Sequence, residues 1–407
     1  MALFKNHRVS AVEILEVIPE ALLNHLSENT KVDYYSKVLQ GKKLFYLLLY
    51  GILENDRLSQ RTLEDTFNDP VFKILFKIDP SESIRRSSLS ERLSKVDPNF
   101  FRQIYENIYE QFSKIYSSSQ QLKYSLIRVD STIIEDTSGK LVDGITPNMK
   151  NRRFIKYTTA FDGILPCYSK ALTGQKYASE ENALPEVVLN YVKREKGHKN
   201  IYVLDRGMQS SSTMKLFNDK QVDFIIRARE NRKYVELHSL VEPGSSMDLG
   251  NLILVKDSMV YLYNGKIINN KRGNKHYKEE LLEEPFRLIV GKSKKIESKE
   301  FWFLTNNTEL SAKEITDAYR RRWDIEVFFR FIKQELNVSH LISLNKNGIE
   351  VMLYMILIAA MLVLIYKYAN RIGYKTAKRR FSKEMRNIII SMIVEKCRGD
   401  PSLFFTV

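Results

Sequence analysis

The sequence predicts an α/β protein, in which a mixed sheet covered by helices follows an all-helical N-terminal segment and is interrupted by a β-rich insertion. Three observations support this fold class. Residues 1–116 show apolar side chains at helical spacing, β-branched runs begin near residue 125, and helical spacing returns at Ser311 after a strand-rich stretch. Of the 407 residues, 43% are hydrophobic and 28% are charged, which is ordinary for a globular protein and excludes the fibrous and disordered classes.

Positive charge exceeds negative charge along the chain. There are 64 Lys and Arg against 49 Asp and Glu, a formal net charge of +15. A phosphate-rich partner is the simplest explanation of this excess. The two cysteines cannot build a disulfide framework, and neither they nor the six histidines show the spacing of a zinc site. The N-terminus shows no secretory signal, so we expect a cytoplasmic protein.

One apolar run invites comparison with a membrane span. Residues 351–366 are 16 consecutive apolar or aromatic residues between Glu350 and Lys367. A span needs about 20 such residues, and shorter runs are more often buried helices. We therefore expect a core helix here and no association with a membrane.

Residues 1–119 are expected to form a helical domain. Leu, Ile and Phe recur at helical spacing most clearly in residues 41–55 and 98–116. Short polar connectors separate the helices, and the polar run at residues 117–121 is the best candidate for the boundary of this domain.

Residues 120–230 show the element order of an RNase H-like core. The first three strands are expected to lean antiparallel, since Asp162-Gly163 is a hairpin signal between the second and the third. A helix, a strand, a helix and a strand follow, which completes the order of a five-stranded mixed sheet. The predicted elements are residues 125–134, 153–161, 165–172, 180–193, 200–204, 211–220 and 222–228.

A β-rich insertion is expected to interrupt this core at residues 231–305. It contains short strand-like runs, with Asn264-Gly265 as a turn signal. Because helical spacing resumes at Ser311, residues 306–370 are expected to hold the second part of the core. Residues 371–407 are expected to form a basic helical segment.

A capping box opens the helix that carries the main candidate residues. Ser311 and Glu314 have the types and spacing of this motif, which predicts a helix from Ser311 to about Leu336. At about 100° per residue, four polar side chains share an arc of about 60°. They are Tyr319, Arg322, Glu326 and Lys333. The pattern suits a solvated charged face with i, i+4 pairs, or a carboxylate among cations that binds a metal ion beside phosphates.

Two aspartates in the predicted strands are further candidate acids. Asp130 interrupts an apolar strand, where a carboxylate is unfavourable without a function. Asp205 follows a buried run, but an Asp there also suits a turn or a cap of the next helix. Glu135 and Asp136 are rivals of Asp130, and we favour Asp130 because it lies inside the apolar run rather than after it.

The four polar residues of the capped helix, with the spacing Tyr-x2-Arg-x3-Glu-x6-Lys, resemble the Tyr-Arg-Glu-Lys motif of one group of bacterial insertion-sequence transposases. This group belongs to the DDE class, has an RNase H-like core and carries an insertion between its second acid and its glutamate. The resemblance covers residues 120–370. Residues 1–116 resemble the family's DNA-end-binding region only loosely.

The resemblance implies a catalytic and metal-binding triad. Asp130 resembles the first acid of the family, Asp205 the second and Glu326 the third. Two Mg²⁺ ions held by these acids, for which Mn²⁺ substitutes, would activate a water or a 3′-hydroxyl and stabilise the leaving oxygen. The implied function is cut-and-paste transposition: phosphodiester hydrolysis at the element ends and strand transfer into target DNA through a hairpin intermediate.

The resemblance also implies that cations around the triad bind DNA. The expected contacts are Tyr319, Arg322, Lys333, Arg330 and Arg206. Trp302 is a candidate for holding an unstacked base, although a place in the apolar core is the commoner role of such a residue.

A strongly basic segment follows the core. Residues 367–398 hold ten cationic and two acidic side chains, a net charge of +8. A helix of this kind is usually a solvated face, but the bias suits a track for phosphates. Its candidate DNA contacts are Lys378, Arg379 and Arg380.

The implied partners are the terminal inverted repeats of the element and the target DNA, bound by a homodimer in the synaptic complex at the bacterial nucleoid. Two alternatives stay open: an RNase H-like nuclease that cuts without joining, and a DNA-binding derivative that is no longer catalytic. A two-carboxylate glycosidase is disfavoured because a basic groove does not favour neutral sugars.

Overall fold

The structure is a computed structural model of the chain. It describes residues 8–55, 57–117, 124–136, 138–147, 152–193, 199–242, 247–269, 275–296, 299–336, 338 and 341–403. The predicted domain boundary spans residues 117–121, and residues 118–121 of it lie outside the described residues.

Seven helices precede the first strand in the described part of the chain. They are α1 Ala11–Leu15, α2 Glu20–Thr30, α3 Gly41–Glu54, α4 Gln60–Asn68, α5 Pro70–Leu75, α6 Arg86–Lys95 and α7 Asn99–Ser117. Ser10 and Ser59 begin α1 and α4 with capping boxes, which satisfy the first backbone N–H groups of each helix. The apolar faces of these helices share one core with the last helices of the chain.

The central sheet has the topology of an RNase H-like core. Its elements are β1 Ser125–Glu135, β2 Phe154–Phe161, β3 Pro166–Leu172, α8 Glu180–Val192, β4 Asn200–Leu204, α9 Ser211–Asp219 and β5 Asp223–Ala228. The strand order is β3-β2-β1-β4-β5. The first three strands pair antiparallel, whereas β4 pairs parallel with β1 and β5 pairs parallel with β4. The predicted fold class is confirmed.

The strand-rich stretch after β5 extends the same sheet. Its strands are β6 Tyr234–Ser239, β7 Leu252–Asn269, β8 Lys275–Leu281, β9 Phe286–Ser293 and β10 Glu300–Thr305. β10 pairs antiparallel with β5, and the sheet continues through β9 and β7 to β6, with β8 paired to β7. This part of the chain is therefore continuous with the core through main-chain hydrogen bonds.

A buried ion pair links this extension to the helices that follow. Arg287 of β9 donates to both carboxylate oxygens of Asp257 at 2.7 and 2.6 Å, and both side chains are buried. Arg287 also donates to the carbonyl of Leu310, the residue before Ser311. Because Ser311 caps the next helix, this pair fixes where that helix begins.

Four α-helices follow, and a short 3-10 helix at Pro401–Leu403 ends the described chain. The α-helices are α10 Ala312–Arg320, α11 Trp323–Glu335, α12 Lys346–Ala369 and α13 Tyr374–Lys396. The predicted capping box at Ser311 and Glu314 is confirmed. The prediction of a single helix from Ser311 to about Leu336 is wrong, because the chain leaves the α-helical path between α10 and α11.

Tight turns and a tertiary contact explain this break. Arg322 N–H donates to the Tyr319 carbonyl at 2.9 Å, and Ile325 N–H donates to the Arg322 carbonyl at 3.2 Å. Each bond reaches back three residues, as in a 3-10 helix, instead of the four residues of an α-helix. The carbonyl of Arg321 accepts a bond from the buried Arg128 side chain of β1 at 3.2 Å. A contact with the sheet therefore decides the path of the helix here.

The apolar helix α12 lies inside the protein. It is long and apolar enough to pass for a membrane span, but 89% of its most apolar window is buried within the described structure. It packs against α3, α6, α7 and α13. The expectation of a buried core helix at residues 351–366 is confirmed.

We expect Arg287→Ala to lower the free energy of unfolding by about 3–5 kcal/mol, because it leaves the Asp257 carboxylate buried without its partner. Urea unfolding followed by circular dichroism measures this loss. The matched control is Lys199→Ala, which removes one partner of the exposed Lys199–Glu309 ion pair. An equal loss in both variants would contradict a special role for the buried pair.

Candidate active site

Two of the predicted acids stand side by side at one edge of the sheet. β1 and β4 are parallel neighbours whose last paired residues are Val129 and Leu204. Asp130 is the next residue of β1, and Asp205 directly follows β4. Because parallel strands run in register, these two aspartates occupy adjacent positions. Asp130 is largely enclosed, with 17% of its side chain exposed.

Of the alternative roles for Asp205, the structure has the turn but not the helix cap: the Met208 N–H donates to the Asp205 carbonyl at 3.2 Å. Ser210, not Asp205, caps α9, since its hydroxyl accepts the Thr213 N–H at 3.2 Å. Glu135 is exposed at the end of β1. Asp136 accepts backbone N–H groups of its own loop, from Ser138 at 2.8 Å and Leu141 at 2.7 Å.

The third predicted acid arrives on α11, which packs against β1. Phe328 of α11 stacks on Phe161 of β2, with ring centroids 5.0 Å apart. Arg128 of β1 donates to Asp324 of α11 at 3.1 Å. Arg128 lies two residues before Asp130, so the side chain that anchors the start of α11 shares a strand face with the first acid. These contacts place Glu326 beside the sheet edge.

One arginine brings the three acids together. Arg322 Nη1 lies 3.2 Å from Asp130 Oδ2 and 3.7 Å from Asp205 Oδ1, and its Nη2 donates to Glu326 Oε1. Only 14% of the Arg322 side chain is exposed. The carboxylates of the predicted triad therefore converge around a single guanidinium group.

Three carboxylates and one guanidinium meet at this point, so the acids outnumber the cation. Burial raises the pKa of Asp130 to about 7, and the neighbouring carboxylates of Asp205 and Glu180 add to the rise. A hydrogen bond from the Ser131 N–H at 2.7 Å and the charge of Arg322 oppose it. Burial is thus the main reason why the Asp130 carboxyl resists ionisation, and Arg322 only partly offsets it.

Arg322 itself is held firmly in its charged form. Burial disfavours its charge, but Tyr319, Asp205 and Asp130 outweigh this and raise its pKa. Its Nε atom is buried and has no hydrogen-bond partner within the described residues. The guanidinium therefore uses its Nη atoms for the acids and leaves one donor unsatisfied.

The donor set suits a hard divalent cation. Two Asp and one Glu offer carboxylate oxygens, the ligands that Mg²⁺ prefers. In the described part of the chain, no three His, Cys, Asp or Glu stand close enough to share a metal ion as folded. Arg322 lies among the acids and supplies the positive charge there, so a metal ion would need this side chain to move aside.

The residues expected to contact DNA surround the triad or lie on α11. Tyr319 is half-buried, its ring centroid lies 5.3 Å from that of Phe303, and burial raises its pKa to about 12. Arg206 is exposed directly after Asp205. Arg330 and Lys333 are exposed on α11, roughly one and two turns beyond Glu326.

The basic helix α13 begins next to α11. The rings of Tyr374 and Phe331, one on each helix, lie 5.2 Å apart. Arg379 and Arg380 are exposed, and Lys378 is half-buried. Ala377 and Phe381 on the opposite side are buried.

The two tryptophans differ in exposure. Trp302 is half-buried in β10, donates to Glu300 Oε2 at 2.8 Å and packs against Tyr234. It therefore packs against a core cluster from a partly buried strand position. Trp323, next to Arg322, has 55% of its surface exposed.

The sequence reasoning missed two buried cations that support the site. Arg128 anchors α11, and Lys156 of β2, only 2% exposed, pairs with Glu180 at 2.9 Å. Both interrupt apolar strand runs, which is the signal that also singled out Asp130. A charged residue in a buried strand requires a partner. The sequence could therefore have identified both positions, but it does not show which acids pair with them.

Among solved structures, the chain is similar to the piggyBac transposase in its synaptic complex with hairpin DNA. The identity is 12% and the TM-score 0.45, over 98% of this chain and 84% of that chain.

Sequence comparisons relate the chain to transposases of insertion sequences. A putative transposase of element IS4SA from Synechocystis sp. is 22% identical over 340 residues, which are 83% of this chain and 85% of that protein. A probable transposase of element IS5377 from Geobacillus stearothermophilus is 42% identical over 60 residues, 15% of this chain and 16% of that protein. Residues 121–362 match the family described as the transposase DDE domain. Since this match spans more than half of the chain and includes all three acids around Arg322, the protein belongs to the DDE transposases.

Proposed function

We propose that this DDE transposase moves an insertion sequence by a cut-and-paste route. It would hydrolyse phosphodiester bonds at the element ends, join the 3′-hydroxyl ends to target DNA and pass through a hairpin intermediate. The observation that carries the proposal is the convergence of Asp130, Asp205 and Glu326 around one guanidinium. Three acids from separate elements have no need to meet at a sheet edge unless they act together.

DDE transposases use divalent metal ions, and we propose that this one uses two Mg²⁺ ions, with Mn²⁺ as a substitute. Asp130, Asp205 and Glu326 are the residues that would hold them. When bound, such ions activate the attacking oxygen and stabilise the leaving oxygen of a phosphodiester. The excess of carboxylate charge around Arg322 supports this role, because it leaves the site short of positive charge.

Arg322 has two roles in this proposal. In the metal-free protein it partly neutralises the acids, and once divalent ions supply that charge it is free to bind a phosphate of the cleaved strand. A guanidinium suits this exchange because it binds carboxylate and phosphate with the same planar geometry. Tyr319, whose ring lies 5.9 Å from the Arg322 guanidinium carbon, limits where the side chain can move.

DNA is the partner of this family, and we propose a path for it across the exposed cations. Arg206, Arg330 and Lys333 would bind the backbone near the cut, and Lys378, Arg379 and Arg380 would continue the path along α13. The helical domain, residues 1–119, would read the terminal inverted repeats. A homodimer would hold two ends together in the synaptic complex, at the nucleoid of the bacterial cytoplasm.

The remaining domain bounds are part of the same proposal. Residues 120–230 and 306–370 would form the catalytic core, with residues 231–305 as its β-rich insertion. Residues 371–407 would form the basic C-terminal segment, which includes α13 and is described by the structure up to residue 403.

The test of the proposal is a product assay on the terminal repeats taken from the flanking genomic DNA. With Mg²⁺, the wild-type protein should give a hairpin on denaturing gels and should join a pre-cleaved 3′-hydroxyl end to plasmid DNA. Glu326→Ala should lower the rates of hairpin formation and of end joining by about 10³-fold or more, since a metal ligand lowers the activation barrier by several kcal/mol. Band-shift assays should show nearly unchanged binding of the ends.

Glu335→Ala, at the end of the same helix, is the matched control and should cut normally. Nicks that persist without hairpin or joined product would favour a nuclease that does not join. Loss of DNA binding in Glu326→Ala to the same degree as loss of cleavage would instead indicate that Glu326 has a structural role.

Arg322→Ala should raise the affinity of the DNA-free protein for Mn²⁺ while it lowers cleavage. Removing the positive charge that lies among the acids removes its repulsion of a divalent cation, which would be worth more than about 1 kcal/mol, or roughly tenfold in affinity. Electron paramagnetic resonance titration measures free Mn²⁺ directly. Arg320→Ala, which alters an exposed ion pair with Asp317, is the control. Weaker Mn²⁺ binding in Arg322→Ala would argue against the exchange.

Replacing Lys378, Arg379 and Arg380 together by Ala should flatten the salt dependence of DNA binding. Each lost phosphate contact lowers the slope of log K against log salt by about 0.9 in magnitude, so the triple variant should lose about 2.7. The charge-matched control removes three lysines that each pair with an acid: Lys199, Lys233 and Lys313. Equal slopes in both triple variants would rule out a DNA path along α13.

A further inference from the structure

The start of α8 is bonded to β1, which carries Asp130, and to the loop that follows β4 and Asp205. Ser179 caps this helix, and its first two residues are Glu180 and Glu181. Each of these glutamates is bonded to a different segment of the site. The contacts can therefore be followed separately to Asp130 and to Asp205.

Glu180 is bonded to the segment around the first acid. The Ser131 hydroxyl donates to Glu180 Oε2 at 2.8 Å, and the Ser131 N–H donates to Asp130 Oδ1 at 2.7 Å. The buried Lys156 donates to the other oxygen of Glu180 at 2.9 Å and to the Ala178 carbonyl at 2.9 Å. Since both Glu180 oxygens already accept bonds, this side chain serves as a support rather than as a fourth metal ligand.

Glu181 is bonded to the segment that follows the second acid. Its Oε1 accepts the Gln209 N–H, and its Oε2 accepts the Ser210 N–H at 3.0 Å. The loop is tied back to Asp205 by the Met208 N–H, which donates to the Asp205 carbonyl at 3.2 Å. A carboxylate that accepts two backbone N–H groups makes strong, charge-assisted bonds, so it fixes this loop against α8.

The loop also packs directly on the first glutamate. A methyl group placed on Gly207 would lie 2.8 Å from both Cβ and Cγ of Glu180 and 3.9 Å from Asp205 Oδ2. Contacts of 2.8 Å are too short for carbon atoms, so only glycine permits this approach. Adjacent residues of one helix thus hold β1 on one side and the loop after β4 on the other.

From these contacts we infer that Glu180 and Glu181 form a clamp that sets the spacing of Asp130 and Asp205 for metal binding. They are positioning residues and touch neither substrate nor metal. The inference rests on the proposed function, because it concerns how the two aspartates of that site hold divalent ions. A single peptide bond joins the halves of the clamp, so a shift at the start of α8 would move the segments beside both aspartates together.

Two variants test the clamp by different routes. Glu181→Gln replaces one acceptor oxygen with an NH2 group that opposes a backbone N–H, so it loosens the loop. Gly207→Ala removes no hydrogen bond and instead forces the loop away from Glu180. Mn²⁺ binding to the DNA-free protein is followed by electron paramagnetic resonance, and thermal unfolding is followed by circular dichroism.

Both variants should bind Mn²⁺ about 10-fold or more weakly, as is usual when an outer-shell support of a metal site is lost. The matched control is Glu186→Gln on the same helix, which alters the Glu186–Lys170 pair away from the aspartates and should bind Mn²⁺ like wild type. Unfolding temperatures should stay close to wild type in Gly207→Ala, which separates the spacing of the site from the stability of the fold.

Wild-type Mn²⁺ affinity in both variants would overturn the clamp, and so would an equal loss in the Glu186→Gln control. The outcomes that contradict the proposed function differ from those that contradict only the clamp. If the wild-type protein binds Mn²⁺ and cuts DNA while both variants match it, only the clamp is wrong. If the wild-type protein neither binds Mn²⁺ nor cuts the terminal repeats, the proposed function is wrong and the clamp falls with it.

Discussion

The repulsion among acids at one sheet edge is the constraint on which the rest of this site depends. Asp130, Asp205 and Glu326 come from three elements, and each would be destabilised by the others in a partly enclosed space. Arg322 offsets part of this repulsion, but one guanidinium stands against three carboxylates, and burial adds a further cost that raises the pKa of Asp130 to about 7. The folded chain therefore carries a local charge imbalance that a divalent cation would correct.

The elements around the site supply a partner for each buried charge. Arg128 in β1 pairs with Asp324, and Lys156 in β2 pairs with Glu180. An unpaired charge in either strand would cost several kcal/mol, so these pairs decide where α11 and α8 can dock. The same contacts that satisfy the strands thus aim Glu326 and the start of α8 at the aspartates.

The sheet extension after β5 also contributes to this arrangement. Phe303 of β10 packs against Tyr319, and Arg287 of β9 holds the backbone just before α10. Since β10 is hydrogen-bonded to β5, the last helices start from a fixed point on the core sheet. The strand-rich stretch is thereby part of the scaffold that orients α10 and α11.

Local signals predicted much of this molecule, and contacts between distant segments decided the rest. The element order, the capping box at Ser311 and the placement of Asp130 in a strand all follow from periodicity and residue type. The break between α10 and α11 does not, because no Gly or Pro marks it and its cause is the bond from Arg128 to the Arg321 carbonyl. The pairing of β10 with β5 could not be predicted from the sequence either, since the alternation of residues along a strand does not specify which strand it pairs with.

The unsatisfied Nε of Arg322 bears on whether this side chain can change partners. A buried donor without an acceptor costs about 1–3 kcal/mol, and within the described residues this Nε has none. In the metal-free arrangement Arg322 thus stabilises the acids, but its Nε–H group is left without a hydrogen-bond acceptor among the described residues. A phosphate bound through Nε and Nη2 would satisfy that donor, which lowers the free energy needed to part Arg322 from the carboxylates. In the proposed exchange of Arg322 from the acids to DNA, the atom that lacks a partner in the metal-free site would therefore be the one that favours DNA.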